Sequence, residues 1–192
     1  AQRHGVEIPH LCYTDGLRPD GNCRACVVEI AGERTLAPSC CRAPTEGMKV
    51  QAASPRARKS QQMVVEMLLS DMPDVGYQWN DDRQDTPELI AGDAYPSSAG
   101  ALFDSKNTEA VGQHGELSQW ADRLGVTVRP ALQALRREQP APDLSHPAMA
   151  VNLDACIQCN RCVRACREEQ VNDVIGYALR GAESKIVFDL DD

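Results

Sequence analysis

Nine cysteines constrain this chain more than any other feature, because they fall in two groups, at residues 12–41 and 156–166, with none from 42 to 155. Thiols clustered in this way need a common partner, either one another or a metal. No charged-then-apolar leader opens the sequence, so the cysteines are read as reduced and cytosolic, a setting in which clustered thiols bind metal more often than they form disulfides. Composition points the same way. Hydrophobic residues make up 42% of the 192 but aromatics only 4%, so large apolar anchors are scarce and something else must hold parts of the fold together. Two metal modules joined by a connector fit this pattern.

Several function classes drop out. With 28 acidic against 20 basic residues the net charge is −8, and the one basic cluster is Pro55-Arg56-Ala57-Arg58-Lys59, which argues against a nucleic-acid partner. No apolar run approaches the roughly 18–20 residues of a membrane span. There is no Gly-rich phosphate loop, no repeat of fixed period, and no nucleophile–base arrangement that would suggest hydrolysis.

Local signals give a coarse plan. Arg24 to Leu36 reads as a β-hairpin, with β-branched residues leading into a turn at Gly32. Ser54 and Pro55 read as N-cap and first residue of a helix whose apolar residues Met63, Val64, Met67 and Leu68 recur at helical spacing, with Pro73 past its end. Residues 73–115 are rich in Asp, Gly, Ser, Pro and Gln and read as an irregular connector. Short helices are expected over 117–124 and 130–138, before Pro140-Ala141-Pro142 breaks the chain.

Cys156-x2-Cys159-x2-Cys162-x3-Cys166 is the strongest motif. Two-residue spacers let three thiolates turn inward around one cubane, while the last, a helical turn further on, points elsewhere. In two-cluster ferredoxins that fourth cysteine ligates the neighbouring [4Fe-4S] cluster. Zinc sites more often use C-x2-C pairs set well apart. Arg167 stands where the bacterial pattern has Pro. A cluster on Cys156, Cys159 and Cys162 still needs a fourth ligand, and no cysteine follows Cys166, so a further motif is expected beyond Asp192. Ala1, followed at once by the mid-domain-like run Gly5 to His10, also leads to the expectation of a fragment.

The first group runs Cys12-x10-Cys23-x2-Cys26-x13-Cys40, with Cys41 adjacent. Gly16, Gly21 and Asn22 lie in its first loop, where small residues let backbone amides approach a cluster. The first loop is longer than the plant-type C-x4-C-x2-C, but a loop, a C-x2-C and a distant fourth cysteine keep that logic; zinc is the alternative.

These residues resemble a known family. Ile8-Pro9-His10-Leu11-Cys12-Tyr13, Gly21-Asn22-Cys23-Arg24-Ala25-Cys26-Val27-Val28-Glu29, and Ser39-Cys40 with Gly47-Met48 resemble the [2Fe-2S] domain that opens the large iron–sulfur subunits of respiratory complex I, [FeFe] hydrogenases and NAD-dependent formate dehydrogenases. The tracts 145–159 and 163–176 most resemble the α subunits of soluble molybdenum- or tungsten-dependent formate dehydrogenases. The likeness covers about residues 5–72 and 143–192. It implies an α+β chain: a β-grasp [2Fe-2S] ferredoxin-like domain over 1–53, a helix over 54–72, a connector with short helices over 73–142, and the first half of a two-[4Fe-4S] ferredoxin-like domain over 143–192. It implies that Cys12, Cys23, Cys26 and Cys40 hold [2Fe-2S], with Cys40 preferred to Cys41 on family spacing to Gly47. Cys156, Cys159 and Cys162 would hold one [4Fe-4S] cluster and Cys166 would belong to a second.

The implied function is electron relay from a molybdenum or tungsten bis-pterin site in the remainder of the α subunit toward FMN and NAD+ on diaphorase subunits, in the cytoplasm, with no catalytic residue in this segment. Complex I relatives carry another [4Fe-4S] site, bound by one His and three Cys. Met72 and Gly76 stand about where its His and first Cys are expected, so that site is expected to be absent.

Other residues take plainer readings. His10 is expected to be a partly buried side chain near the loop, and His4, His114 and His146 to face solvent. Trp79 and Trp120 read as core or interface anchors. Asp71, Asp74, Asp81, Asp82 and Asp85 read as a solvated stretch and not a cation site.

Overall fold

The computed structural model describes residues 1–73, 115–138, 140, 151 and 153–188. The connector at 74–114, with Gly76, Trp79, the four aspartates from Asp74 to Asp85 and His114, lies outside the described residues, as do His146 and the Ala141-Pro142 break.

The N-terminal module is a three-stranded antiparallel sheet with a helix packed on it. Strand β1 (Val27–Ile30) is central, flanked by β2 (Ala37–Pro38) and β3 (Val50–Gln51), in the order β2-β1-β3. The expected hairpin forms, with Val27 opposite Pro38 and Val28 opposite Ala37, but its paired part is short. Val28, Ile30 and Ala37 fill a small core under the sheet.

Helix α1 (Pro55–Ser70) starts where its cap chemistry directs: the Ser54 side chain accepts from the Ala57 amide at 3.2 Å and Pro55 occupies the first turn. Its buried face keeps half of the expected apolar stripe, with Val64 and Leu68 packing against the main core. Met63 and Met67 point outward, while Ala57, Gln61, Val65 and Glu66 are buried. Gln61 turns this face inward, because its amide donates at 2.9 Å to both Val27 O on the central strand and Ala52 O just past β3. Helix α2 (Glu116–Leu124) packs on the far side of α1, with the Gln62 amide donating to Leu124 O at 2.9 Å. Helix α3 (Pro130–Gln133) is shorter than the expected 130–138 and ends in turns that reach Arg136.

In the C-terminal module, α4 (Arg161–Arg164) leads into a π-helical turn at Ala165–Glu169, in place of the regular helix expected after Cys162. A hairpin of β4 (Ile175–Ala178) and β5 (Lys185–Phe188) follows, and Leu153, Val163 and Ile186 form its core. The largest core joins both modules. Leu11, Ala25, Val65 and Leu117 are buried together, with Ala155 and Ile157 packed against them. These residues flank cysteines of both groups, so burial of the core brings the two cysteine loops together.

Candidate metal centres

In the first group the sulfurs meet in pairs. The Cys12 amide donates to Cys23 Sγ at 3.4 Å and the Cys23 amide to Cys12 Sγ at 3.5 Å, so each loop end points a backbone N–H at the other's sulfur. Cys26 Sγ lies 3.5 Å from Cys40 Sγ. Cys41 Sγ is 3.6 Å from Cys40 Sγ but its residue is exposed, whereas Cys12 and Cys26 are buried. Gly21 shows why this loop needs glycine: its φ is +64°, and an added Cβ would stand 2.9 Å from Cys41 Sγ. Among the described residues, no three Cys, His, Asp or Glu side chains converge as a mononuclear ion site would require.

This donor set fits a binuclear cluster. A tetrahedral zinc tetrathiolate sets every sulfur pair about 3.8 Å apart around one centre. Two irons bridged by sulfide instead take two thiolates each, and two close pairs answer that demand.

In the second group Cys156, Cys159 and Cys162 all lie near Tyr177, whose phenol burial, followed by their charge, pushes up to about 12. The Gln158 amide donates to Cys156 Sγ at 3.4 Å. Cys166 is buried on the π-helical turn, and its carbonyl accepts from the Asn172 amide at 3.1 Å.

Burial is the main reason that the thiols of Cys12, Cys40, Cys156 and Cys162 hold their protons above the ordinary cysteine range; neighbouring sulfurs add to it. Thiols held so tightly together become thiolates when a cation replaces their protons, which couples metal binding to proton release. Cationic side chains also crowd the region. The buried Arg164 guanidinium donates to Cys12 O and Arg18 O, and to Asn160 O at 3.3 Å. Arg161 donates to Tyr13 O at 2.9 Å, and Arg137 to Cys156 O at 2.6 Å. These cations would offset the negative charge of a thiolate-bound cluster.

Sequence reasoning gave Arg164 and Arg161 no such role. Their partners lie far along the chain, as much as 152 residues for Arg164 and Cys12, and no local pattern reports such contacts. His10 is exposed, contrary to the expected partial burial. Its Nδ1 lies 3.0 Å from Ile8 O, and its ring meets Tyr13 and Trp120 edge-on. Trp120 packs against the main core with Arg123 over its face at 5.0 Å.

Comparison with known proteins places this geometry. Residues 1–55 match the family model of the 2Fe-2S iron-sulfur cluster binding domain. The chain is 28% identical over 186 residues to one of the subunits of the NADH-quinone oxidoreductase of Rhizobium meliloti (strain 1021), covering 97% of this chain and 18% of that protein. It is 29% identical over 189 residues to the HndD subunit of the NADP-reducing hydrogenase of Solidesulfovibrio fructosivorans, covering 92% of this chain and 26% of the relative. Likeness to the putative formate dehydrogenase YrhE of Bacillus subtilis (strain 168) is 22% over 188 residues, covering 97% and 16% respectively. The chain thus spans about a quarter or less of these relatives' length. A chain of the NAD+-reducing [NiFe]-hydrogenase, crystallised in the H2-reduced state, shares the fold with a TM-score of 0.65 at 22% identity, over 97% of this chain and 65% of that one. Residues 1–55 are therefore similar to a 2Fe-2S iron-sulfur cluster binding domain and share an α+β ferredoxin-like fold, in a chain similar over nearly all its length to subunits of oxidoreductase complexes.

Proposed function

We propose that this chain is the electron-transferring iron–sulfur segment of an NAD-linked formate dehydrogenase. The observation that carries the electron-transfer reading is the pairing of Cys12 with Cys23 and Cys26 with Cys40, set beside a second group of three cysteines in one packed body. In this reading Cys12 and Cys23 take one iron of [2Fe-2S], and Cys26 and Cys40 the other. Cys156, Cys159 and Cys162 take a [4Fe-4S] cluster, and Cys166 a second one completed by residues outside this chain. The domain over 1–53 is then a β-grasp ferredoxin domain, and 143–192 the first half of a two-cluster ferredoxin domain. Bound clusters supply one-electron carriage. The chain's own residues exclude water, aim N–H groups at sulfur and place cations nearby, which tunes potential.

The formate assignment draws support from the 145–176 tract and from likeness to a protein named as a putative formate dehydrogenase. It also draws on the lack of any cysteine from 42 to 155, which leaves no thiols there for an intermediate cluster. The partners would be the remainder of a cytoplasmic α subunit holding a molybdenum or tungsten bis-pterin, and diaphorase subunits with FMN and NAD. A second reading, the iron–sulfur subunit of an NAD-linked hydrogenase or of complex I, is favoured by the higher identities to those proteins. The full-length protein with its partner subunits, kept anaerobic, separates them. Bleaching of the iron–sulfur absorption by formate, reversed by NAD+, is the expected result. Bleaching by H2 or NADH with none by formate would overturn the formate assignment.

A further inference from the structure

We propose that Asn22 is the electronic bridge between the two cysteine sites, its side-chain amide joining the Cys23 loop to the Gln158 carbonyl, one peptide bond from Cys159. The inference rests on the electron-transfer reading above and adds to it the residue through which the sites are coupled.

Asn22 Nδ2 donates to Gln158 O at 3.0 Å across 136 residues of sequence. At one end, Asn22 precedes Cys23, and its backbone N–H also points at the Cys12 sulfur. At the other end, Gln158 lies between Cys156 and Cys159, with its own amide donating to Cys156 Sγ at 3.4 Å. Gln158 therefore touches the second cysteine group with its N–H and the first group, through Asn22, with its C=O.

The fold holds this contact with some strain. Gln158 has φ +53°, a left-handed conformation unfavourable to a residue with a side chain. It is fixed there by its side-chain amide donating to Ser184 O at 2.6 Å, and by Tyr177, whose hydroxyl donates to Gln158 O at 3.3 Å. Turned this way, the carbonyl meets Asn22.

The route is also shorter than two other hydrogen-bonded routes across the seam. Electronic coupling weakens with each bond and with each gap crossed. From Cys23 Sγ through Asn22 to Cys159 Sγ there are thirteen covalent bonds and one hydrogen bond. Through Arg161 and Tyr13 O, or through Arg164 and Cys12 O, the sulfur-to-sulfur routes need eighteen and one. The step is the transfer of one electron between the two iron–sulfur groups, one oxidised and the other reduced, and the Asn22 amide keeps its protons throughout.

The test uses the full-length protein with both clusters assembled, reduced rapidly by radiolytically generated electrons, with the redistribution between clusters followed optically. Wild type is compared with Asn22→Ala, Asn22→Leu and Arg18→Ala. Both Asn22 variants are expected to slow the intercluster step several-fold while the EPR signals and midpoint potentials of both clusters stay in place. Arg18→Ala, which removes the exposed cross-module ion pair to Glu168 at 3.5 Å and lies off the route, is expected to leave the rate unchanged. An unchanged rate in the Asn22 variants, or equal slowing by Arg18→Ala, would overturn the bridge. Absence of iron–sulfur signals in the wild type would instead defeat the reading beneath it. Should Asn22→Ala fail to fold, Asn22→Leu, close in size but without a donor, gives the same comparison.

Discussion

Replacing Arg164 by Met should loosen the seam between the two cysteine sites more than any other single change. Its side chain is 6% exposed and hydrogen-bonds three backbone carbonyls, those of Cys12, Arg18 and Asn160. Methionine keeps an unbranched apolar stem but supplies no donor. A hydrogen bond to a charged group contributes about 1.5–3 kcal/mol, and a buried carbonyl stripped of its donor adds a desolvation cost. The Asp20 carboxylate, 3.9 Å from Arg164 and a third exposed, adds little. Two good bonds lost and one long one put the cost at about 3–5 kcal/mol. For a chain of this size that lowers Tm by roughly 10 °C. The assay is anaerobic melting of the cluster-loaded chain at fixed scan rate, with hydrogen exchange to locate the change. Amides of loops 12–23 and 156–166 should lose protection, while those of β1 keep theirs, because Gln61 and the small sheet core hold that strand independently. A Tm change under about 3 °C would refute the reasoning, since the buried guanidinium would then be dispensable.

Other outcomes follow from the same geometry. Cys40→Ser should abolish or strongly alter the [2Fe-2S] EPR signal and Cys41→Ser should leave it nearly intact; the reverse would shift the ligand by one residue. In the full-length subunit, Cys166→Ser should perturb a second [4Fe-4S] signal first, while the signal of the cluster on Cys156, Cys159 and Cys162 persists. Glu66 is held below the ordinary glutamate range by the Arg129 guanidinium, which meets both its oxygens at 2.6 and 2.9 Å. A carboxyl depressed in the folded state stabilises fully above its unfolded value of about 4.3, and that stabilisation fades as pH falls through the lower folded value. Glu66→Gln should therefore flatten the loss of stability below about pH 4.5, measured by urea midpoints across pH; an acid slope identical to wild type would sink this.

What was legible in the sequence was local. The Ser54-Pro55 start of α1 and the helix at Glu116–Leu124 followed from capping and periodicity, and the cysteine spacings marked both candidate sites. The misreadings share a physical origin. The outward turn of Met63 and Met67 follows from Gln61 and Glu66 being buried against Val27 O, Ala52 O and Arg129, and hydropathy alone assigns such polar residues to solvent. Strand β4 is flanked by Asp173 and Leu179 in left-handed conformations that β-propensity does not foresee. The seam made by Asn22, Arg161 and Arg164 joins residues 136–152 apart in sequence, and only the folded chain shows it.

The most direct test of the account is quantitative iron, zinc and acid-labile sulfide analysis of the anaerobically purified full-length protein, read together with EPR of the dithionite-reduced sample. The account predicts iron and sulfide in matching amounts, with a [2Fe-2S] signal that Cys12→Ser, Cys23→Ser and Cys26→Ser each remove, beside [4Fe-4S] signals that those changes leave in place. Stoichiometric zinc with neither iron nor labile sulfide would contradict it.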